Sequence, residues 1–340
     1  MIEISADEAR RLRARAHLLG GSALAPAEVV ARAGAMQGQD QNAVLRAIAL
    51  RASPGTTSDD VRAAFDSGAI VRGWPMRGTL FAVTPEDLAG FVRVTGPRLQ
   101  TTVRARRAFL GLSDADFDLA RAVAIEALDE RPHVREDLAA RWADAGLPMD
   151  SGHSYHFTST LAIAGVLHLG RFQGRDQLVE RASQPVEDEA TFLARMARAF
   201  FAARGPATLD DLAWWTKLPK ALLRLAVASI DGLESVSIEG REFQVLDDGV
   251  VGPPAPQIVL VPAFDEWILG YQERSLVASA AAQRLVATVN GIFRPAILVD
   301  GRVVGIWTVT KGRASVVEIV DPVTARQRKA IDVAIDAWRE

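Results

Sequence analysis

The 340-residue chain contains no cysteine, which excludes disulfides, thiolate-held metals and iron–sulfur clusters. Histidine is scarce: of the five, only His153 and His156 stand close together, and no His-Glu-x-x-His pattern occurs. A metal site is therefore not expected. No apolar run approaches the roughly 18 residues that a membrane span needs. The opening residues mix acids and arginines where a signal peptide carries an apolar core, so a cytoplasmic protein with no membrane partner is expected. An excess of positive charge is missing too. With 39 Lys and Arg against 42 Asp and Glu the net charge is -3, which gives no global attraction to nucleic acid.

What is present is an ordinary globular composition, 49% hydrophobic and 24% charged, in a chain long enough for two or three domains at about 150 residues each. The segment Gly34-Ala35-Met36-Gln37-Gly38-Gln39-Asp40-Gln41-Asn42 is polar without being charged to match. Helical periodicity covers residues 26 to 34 and 41 to 52, and Gly34 and Gly38 interrupt it, so the stretch between is expected to be extended or turning. In extended backbone, residues i and i+2 face the same side. Gln37 and Gln39 would then present two amides to one space, able to hold a water or a polar ligand, while Asp40 caps the next helix. The plainer alternative is a polar loop between helices.

Charge is also unevenly placed. Between positions 92 and 107 there are five arginines, Arg104 and Arg107 among them, and no acid. This suits either phosphate contact or a solvated helix face.

Three times the pattern reads as helices followed by a hairpin, the order of a winged helix. Helices at 5 to 18, 26 to 34, 41 to 52 and 58 to 65 precede short strands at 69 to 73 and 79 to 83. Helices at 113 to 129, 134 to 143 and 154 to 164 precede strands at 166 to 172 and 176 to 179. Helices at 187 to 204, 208 to 216 and 219 to 229 precede strands at 233 to 238 and 242 to 246. A linker rich in proline and glycine follows. Beyond it lie four strands and a closing helix at 324 to 338, with hairpin turns at Asp300-Gly301 and at the cationic tip Lys311-Gly312-Arg313. The expected fold is α+β and mainly helical, divided at 1–110, 111–185, 186–250 and 257–340.

Several stretches together resemble one family: Met76-Arg77-Gly78-Thr79-Leu80-Phe81; Gly205-Pro206-Ala207-Thr208 before Trp214-Trp215; Pro262-Ala263-Phe264-Asp265-Glu266-Trp267-Ile268-Leu269-Gly270-Tyr271; and Asn290-Gly291 through to Gly305-Ile306-Trp307. With Gln37-Gly38-Gln39 they are similar to the tandem winged-helix DNA glycosylases of the AlkZ and YcaQ type, known for resistance to the alkylating antibiotic azinomycin. The resemblance spans essentially the whole chain. It implies three winged helices forming a C-shaped channel for DNA, plus a β-rich C-terminal region with a DNA-facing hairpin. It also implies a catalytic Gln-x-Gln, which maps onto Gln37 and Gln39; the family has an aliphatic residue where this chain has Gly38.

The implied activity is monofunctional excision of bulky N7- or N3-alkylated purines by water attack at C1′, including the unhooking of interstrand crosslinks. It needs no cofactor, and the partner is duplex DNA carrying alkylated purines, bound by a monomer at the nucleoid. Arg77 and Thr79 at the first hairpin, Arg104 and Arg107, and Lys311 and Arg313 at the tip are the candidate DNA contacts. Asp265 and Arg274 read as a structural ion pair or strand-end cap, and Trp214-Trp215 as core. A non-catalytic winged-helix regulator and an alkylator-sequestering protein are the competing functions.

Overall fold

A computed structural model describes residues 1–150, 152–182, 187–250 and 252–338. The expected boundary at 185/186 and the last two residues of the expected C-terminal domain lie outside the described residues. The chain forms two compact units, one of residues 1–61 with 193–340 and one of residues 62–192. Each therefore draws on more than one of the four divisions expected from sequence.

The middle unit contains two hairpins in one antiparallel sheet, ordered Thr79–Val83, Val71–Met76, Leu167–Gln173 and Asp176–Arg181. The two inner strands meet at Arg72 and Leu169. Helices Asp114–Glu130, Arg135–Asp144 and His153–Ile163 close over them around Trp74, Leu99, Trp142, Phe157 and Leu167. Helix Pro85–Phe109 starts with Thr84 as N-cap and proline in its first turn, and runs on through Pro97 for 25 residues. The sequence signals its start but not its length, because a proline normally ends a helix.

The other unit is discontinuous in sequence. Its N-terminal strand Ile2–Glu3 pairs in parallel with Leu233–Ile238, which pairs with Arg241–Leu246. Helix Ala6–Ala16 rests on that small sheet through Ala9, against Ile238 and Phe243. Helices Glu189–Arg204, Leu209–Thr216 and Lys220–Ala228 lead into the hairpin. The C-terminal strands form an antiparallel sheet ordered Arg313–Ile319, Arg302–Thr310, Ala296–Val299, Ile258–Val261. One face is covered by Ile331 and Ile335 of helix Ala325–Ala337. The other packs on Trp267, Val277 and Ala282. With both faces covered, Ala296–Val299 is wholly buried, which is why its sequence is a continuous apolar run rather than an alternation. Asp300-Gly301 and Lys311-Gly312 both have positive φ at the two turn positions, the geometry that matches the twist of a two-residue hairpin. Among the described residues no helix is long and apolar enough to cross a membrane.

Candidate active site

Helix Pro26–Ala33 ends at Gly34, whose φ of +71° turns the chain out of the helix. Strand Met36–Gln37 follows, and Asp40 caps helix Gln41–Arg51 by accepting from the Ala43 amide at 2.9 Å. The extended backbone stops at Gln37 and bends at residues 39 and 40, so the same-side rule does not carry through to Gln39. Gln37 is 7% exposed, whereas Gln39 lies at the surface.

The backbone of this segment is gripped from behind by a buried ion pair. Glu266 Oε1 accepts the Gln37 amide at 2.9 Å. Its other oxygen accepts from Arg204 Nη2 at 2.9 Å and Nε at 3.1 Å, and from the Trp215 indole at 3.2 Å. Arg204 extends the grip by donating to the carbonyls of Ala33 at 2.9 Å and Ala35 at 2.8 Å, and its guanidinium sits 4.2 Å above the Trp215 ring. The two side chains are 1% and 4% exposed. Each charge is thus neutralised and its hydrogen-bonding capacity largely used, as burial requires. Both oxygens of Glu266 are engaged in holding the chain, and Asp40 is engaged as a cap. The side chains of Gln37, Gln39 and Gln41 are uncharged amides, which can orient a water or face a positive charge but do not take a proton at neutral pH.

A second buried layer supports the first. Asp265 is bound at both oxygens by Arg51, at 3.0 and 2.8 Å, and also caps the short helix Glu266–Leu269 through the Trp267 amide at 2.8 Å. The expected Asp265–Arg274 pair is therefore corrected: Arg51 is the partner, and Arg274 donates instead to the Ile268 carbonyl at 2.9 Å. Tyr271 donates its hydroxyl to the Arg204 carbonyl at 2.7 Å and faces His17 Nε2 at 2.7 Å. The single hydroxyl proton is committed to the carbonyl, so His17 must donate from Nε2, which fixes its tautomer. Burial, then Arg51, Arg204, Arg13 and Arg32, holds His17 well below its ordinary pKa, while burial raises the Tyr271 phenol. Both stay neutral. Trp215 is core, as its sequence suggests, but Trp214 is only half-buried.

The expected DNA-contact residues fall into different settings. Lys311 and Arg313 are exposed at the tip joining Arg302–Thr310 to Arg313–Ile319. Arg104 is exposed on helix Pro85–Phe109. Arg107 is set differently from its neighbours. It is 4% exposed, is paired with Asp114 and lies 4.1 Å over the Phe117 ring, because the helix turns that position inward. Arg77 sits at the hairpin turn with φ of +56° and its guanidinium 5.0 Å over Phe81. Thr79 is half-buried, and its hydroxyl has no hydrogen-bond partner among the described residues.

Sequence reasoning did not single out Glu266 and Arg204. Glu266 lies within the stretch Pro262 to Tyr271, but its contact is 229 positions from Gln37, and nothing local reports that distance. Among the described residues no group of three His, Cys, Asp or Glu side chains could hold a metal.

A family model described as DNA glycosylase AlkZ-like matches residues 30–340. An interstrand DNA cross-link repair glycosylase of Streptomyces sahachiroi is 28% identical over 298 residues, 78% of each chain. The solved structure of the Streptomyces sahachiroi DNA glycosylase AlkZ superimposes with a TM-score of 0.78 at 22% identity, covering 98% of this chain and 97% of that one.

Proposed function

The chain belongs to the AlkZ-like DNA glycosylase family, and from that premise we propose that Gln37 and Gln39 direct a water onto C1′ of a bulky N7- or N3-alkylated purine nucleotide in duplex DNA. An alkylated purine of this kind already carries positive charge. When its glycosidic bond breaks, the electron pair neutralises that charge and the base departs without a strong general acid. What remains for the protein is to stabilise a sugar with oxocarbenium character and to aim the water, which is positioning and electrostatic work. Two amide carbonyls suit both tasks. A carboxylate base is the more usual choice for activating water, but the activated leaving group lessens the need for one.

The observation that carries this reading is the clamp on Gln37. Its amide and the carbonyls of Ala33 and Ala35 are tied to a buried Glu266–Arg204 pair, a rigidity that a mere interhelical connector does not require. Preorganisation is what electrostatic catalysis depends on. The likeness to a cross-link repair glycosylase supports extending the substrate to interstrand crosslinks, with Lys311 and Arg313 reaching the groove beside the lesion.

The test is single-turnover excision from N7-alkylated duplex DNA, read as strand breaks after hot alkali. Replacing either Gln37 or Gln39 with Ala should slow excision by roughly a hundred- to thousandfold, the usual loss for one preorganised electrostatic contact. The double variant should be less than additive because both amides serve one water. Gln39→Glu keeps an acceptor and should fall between. Undiminished breaks in the double variant would refute the mechanism, and a gel shift with no breaks in the native protein would leave a binding protein only.

A further inference from the structure

Arg274 has lost the carboxylate that its sequence neighbourhood offers, since Asp265 belongs to Arg51. The adjacent Glu273 is taken by the Ser275 amide and hydroxyl, both at 2.7 Å, and lies 3.6 Å from Arg241. The guanidinium of Arg274 is nevertheless fixed. Its Nε donates to the Ile268 carbonyl at 2.9 Å, and its central carbon lies 5.9 Å from the Trp214 ring centroid and 5.5 Å from that of Phe293. Phe293 is braced in turn by Phe264, 6.2 Å away and tilted at 50°, which holds a φ of +57° and donates its amide to the Phe293 carbonyl at 3.2 Å. Among the described residues neither terminal nitrogen of Arg274 has a hydrogen-bond or ion-pair partner, and neither is sealed from solvent. Burial lowers the pKa of this side chain from its ordinary value, as expected for a cation partly stripped of water.

A planar fork that is half-buried, ordered at Nε and, among the described residues, without a carboxylate at ion-pair distance has already met part of the cost of binding an anion, and its geometry matches two oxygens of a phosphate. Its location narrows the choice. Ile268, whose carbonyl orients Arg274, stands two residues along the same short helix from Glu266, which holds the Gln37 amide. Two residues of helix are about 3 Å of rise. The fork and the Gln37 backbone are thus both held by the same four-residue helix. We propose that Arg274 is a phosphate clamp, its two terminal nitrogens taking oxygens of a DNA backbone phosphate beside the nucleotide presented to Gln37. That this nucleotide is the one excised rests on the function proposed above; the phosphate contact itself does not.

The experiment measures binding, without turnover, to duplexes in which single phosphates are replaced one at a time by neutral methylphosphonate. With the native protein, one position should weaken binding about ten- to hundredfold, the worth of a charge-assisted hydrogen bond. In Arg274→Ala the same replacement should cost almost nothing, and the slope of log affinity against log salt should be shallower by about 0.9. Arg274→Lys keeps the charge and the aliphatic stem, so it should retain the salt slope but lose most of the position-specific effect. It also carries the test if the alanine variant does not fold. An identical methylphosphonate profile in the native protein and Arg274→Lys, or native affinity and salt slope in folded Arg274→Ala, would overturn the clamp. Failure of the Gln37 and Gln39 variants to slow excision would remove the catalytic assignment and leave these binding results untouched.

Discussion

Glu266 collects four donors on two oxygens: the Gln37 amide, two nitrogens of Arg204 and the Trp215 indole. Replacing it with Ala strands a buried guanidinium, a loss of about 3 to 5 kcal/mol. Denaturant unfolding should show the midpoint falling with an unchanged m-value, and a loss below about 1 kcal/mol would mean that the pair is not the anchor described. Glu266→Gln should be intermediate, because its amide oxygen can still accept from Gln37 while its NH2 opposes the donors of Arg204. Gln37 and Gln39 are legible in sequence since an uncharged polar run between apolar helices is locally unusual. The ion pair that holds the Gln37 amide is not, because Arg204 ends a helix, Glu266 begins another, and each resembles an ordinary terminal charge.

Whole elements were legible where period and caps agree. Helix Pro26–Ala33 opens on a proline and stops before glycine, and the hairpin around Asp300-Gly301 carries its turn signal. The strand Ile2–Glu3, the four-residue helix Glu266–Leu269 and the helix Ala280–Val286 were not, since each is too short to show a period and is held by partners remote in sequence. Within helix Pro85–Phe109, Arg104 and Arg107 look alike in sequence, yet one is exposed and the other buried against Asp114 and Phe117. Arg104→Ala should flatten the salt dependence of DNA binding by about one unit with stability within about 0.5 kcal/mol. Arg107→Ala should do the reverse, lowering stability by about 1 to 3 kcal/mol with the salt slope unchanged; a flattened slope there would contradict its structural role. At the Lys311-Gly312 turn, exposure predicts that Lys311→Ala with Arg313→Ala leaves the melting temperature nearly unchanged while excision of crosslinked DNA falls. Undiminished single-turnover excision would remove the tip from the lesion.

At the scale of the molecule, each unit buries a histidine in neutral form. His17 in one is held well below its ordinary pKa by burial and then by surrounding arginines. His156 in the other is lowered to about 4 by burial, then by Arg107, Arg106 and His153, and its Nε2 has no hydrogen-bond partner among the described residues. Between pH 6.5 and 4 the unfolded chain therefore binds more protons than the folded one, so stability must fall as the pH falls through that window. Thermal unfolding from pH 7 to 4 should show the decline, and His156→Leu should reduce its steepness; an equally steep decline in the variant would assign the effect elsewhere.

The division of one unit into residues 1–61 and 193–340 has a consequence for how the protein is made. On the ribosome the segment bearing Gln37 emerges early, but Glu266 follows 229 residues later, roughly ten to fifty seconds at 5 to 20 residues per second. Within that interval residues 62–192 are made and, once complete, are free to fold, while Gln37 waits without the carboxylate that will hold its amide. A nascent chain halted before Glu266 would carry Gln37 and Gln39 and yet lack the carboxylate that anchors the strand Met36–Gln37 after the preceding helix.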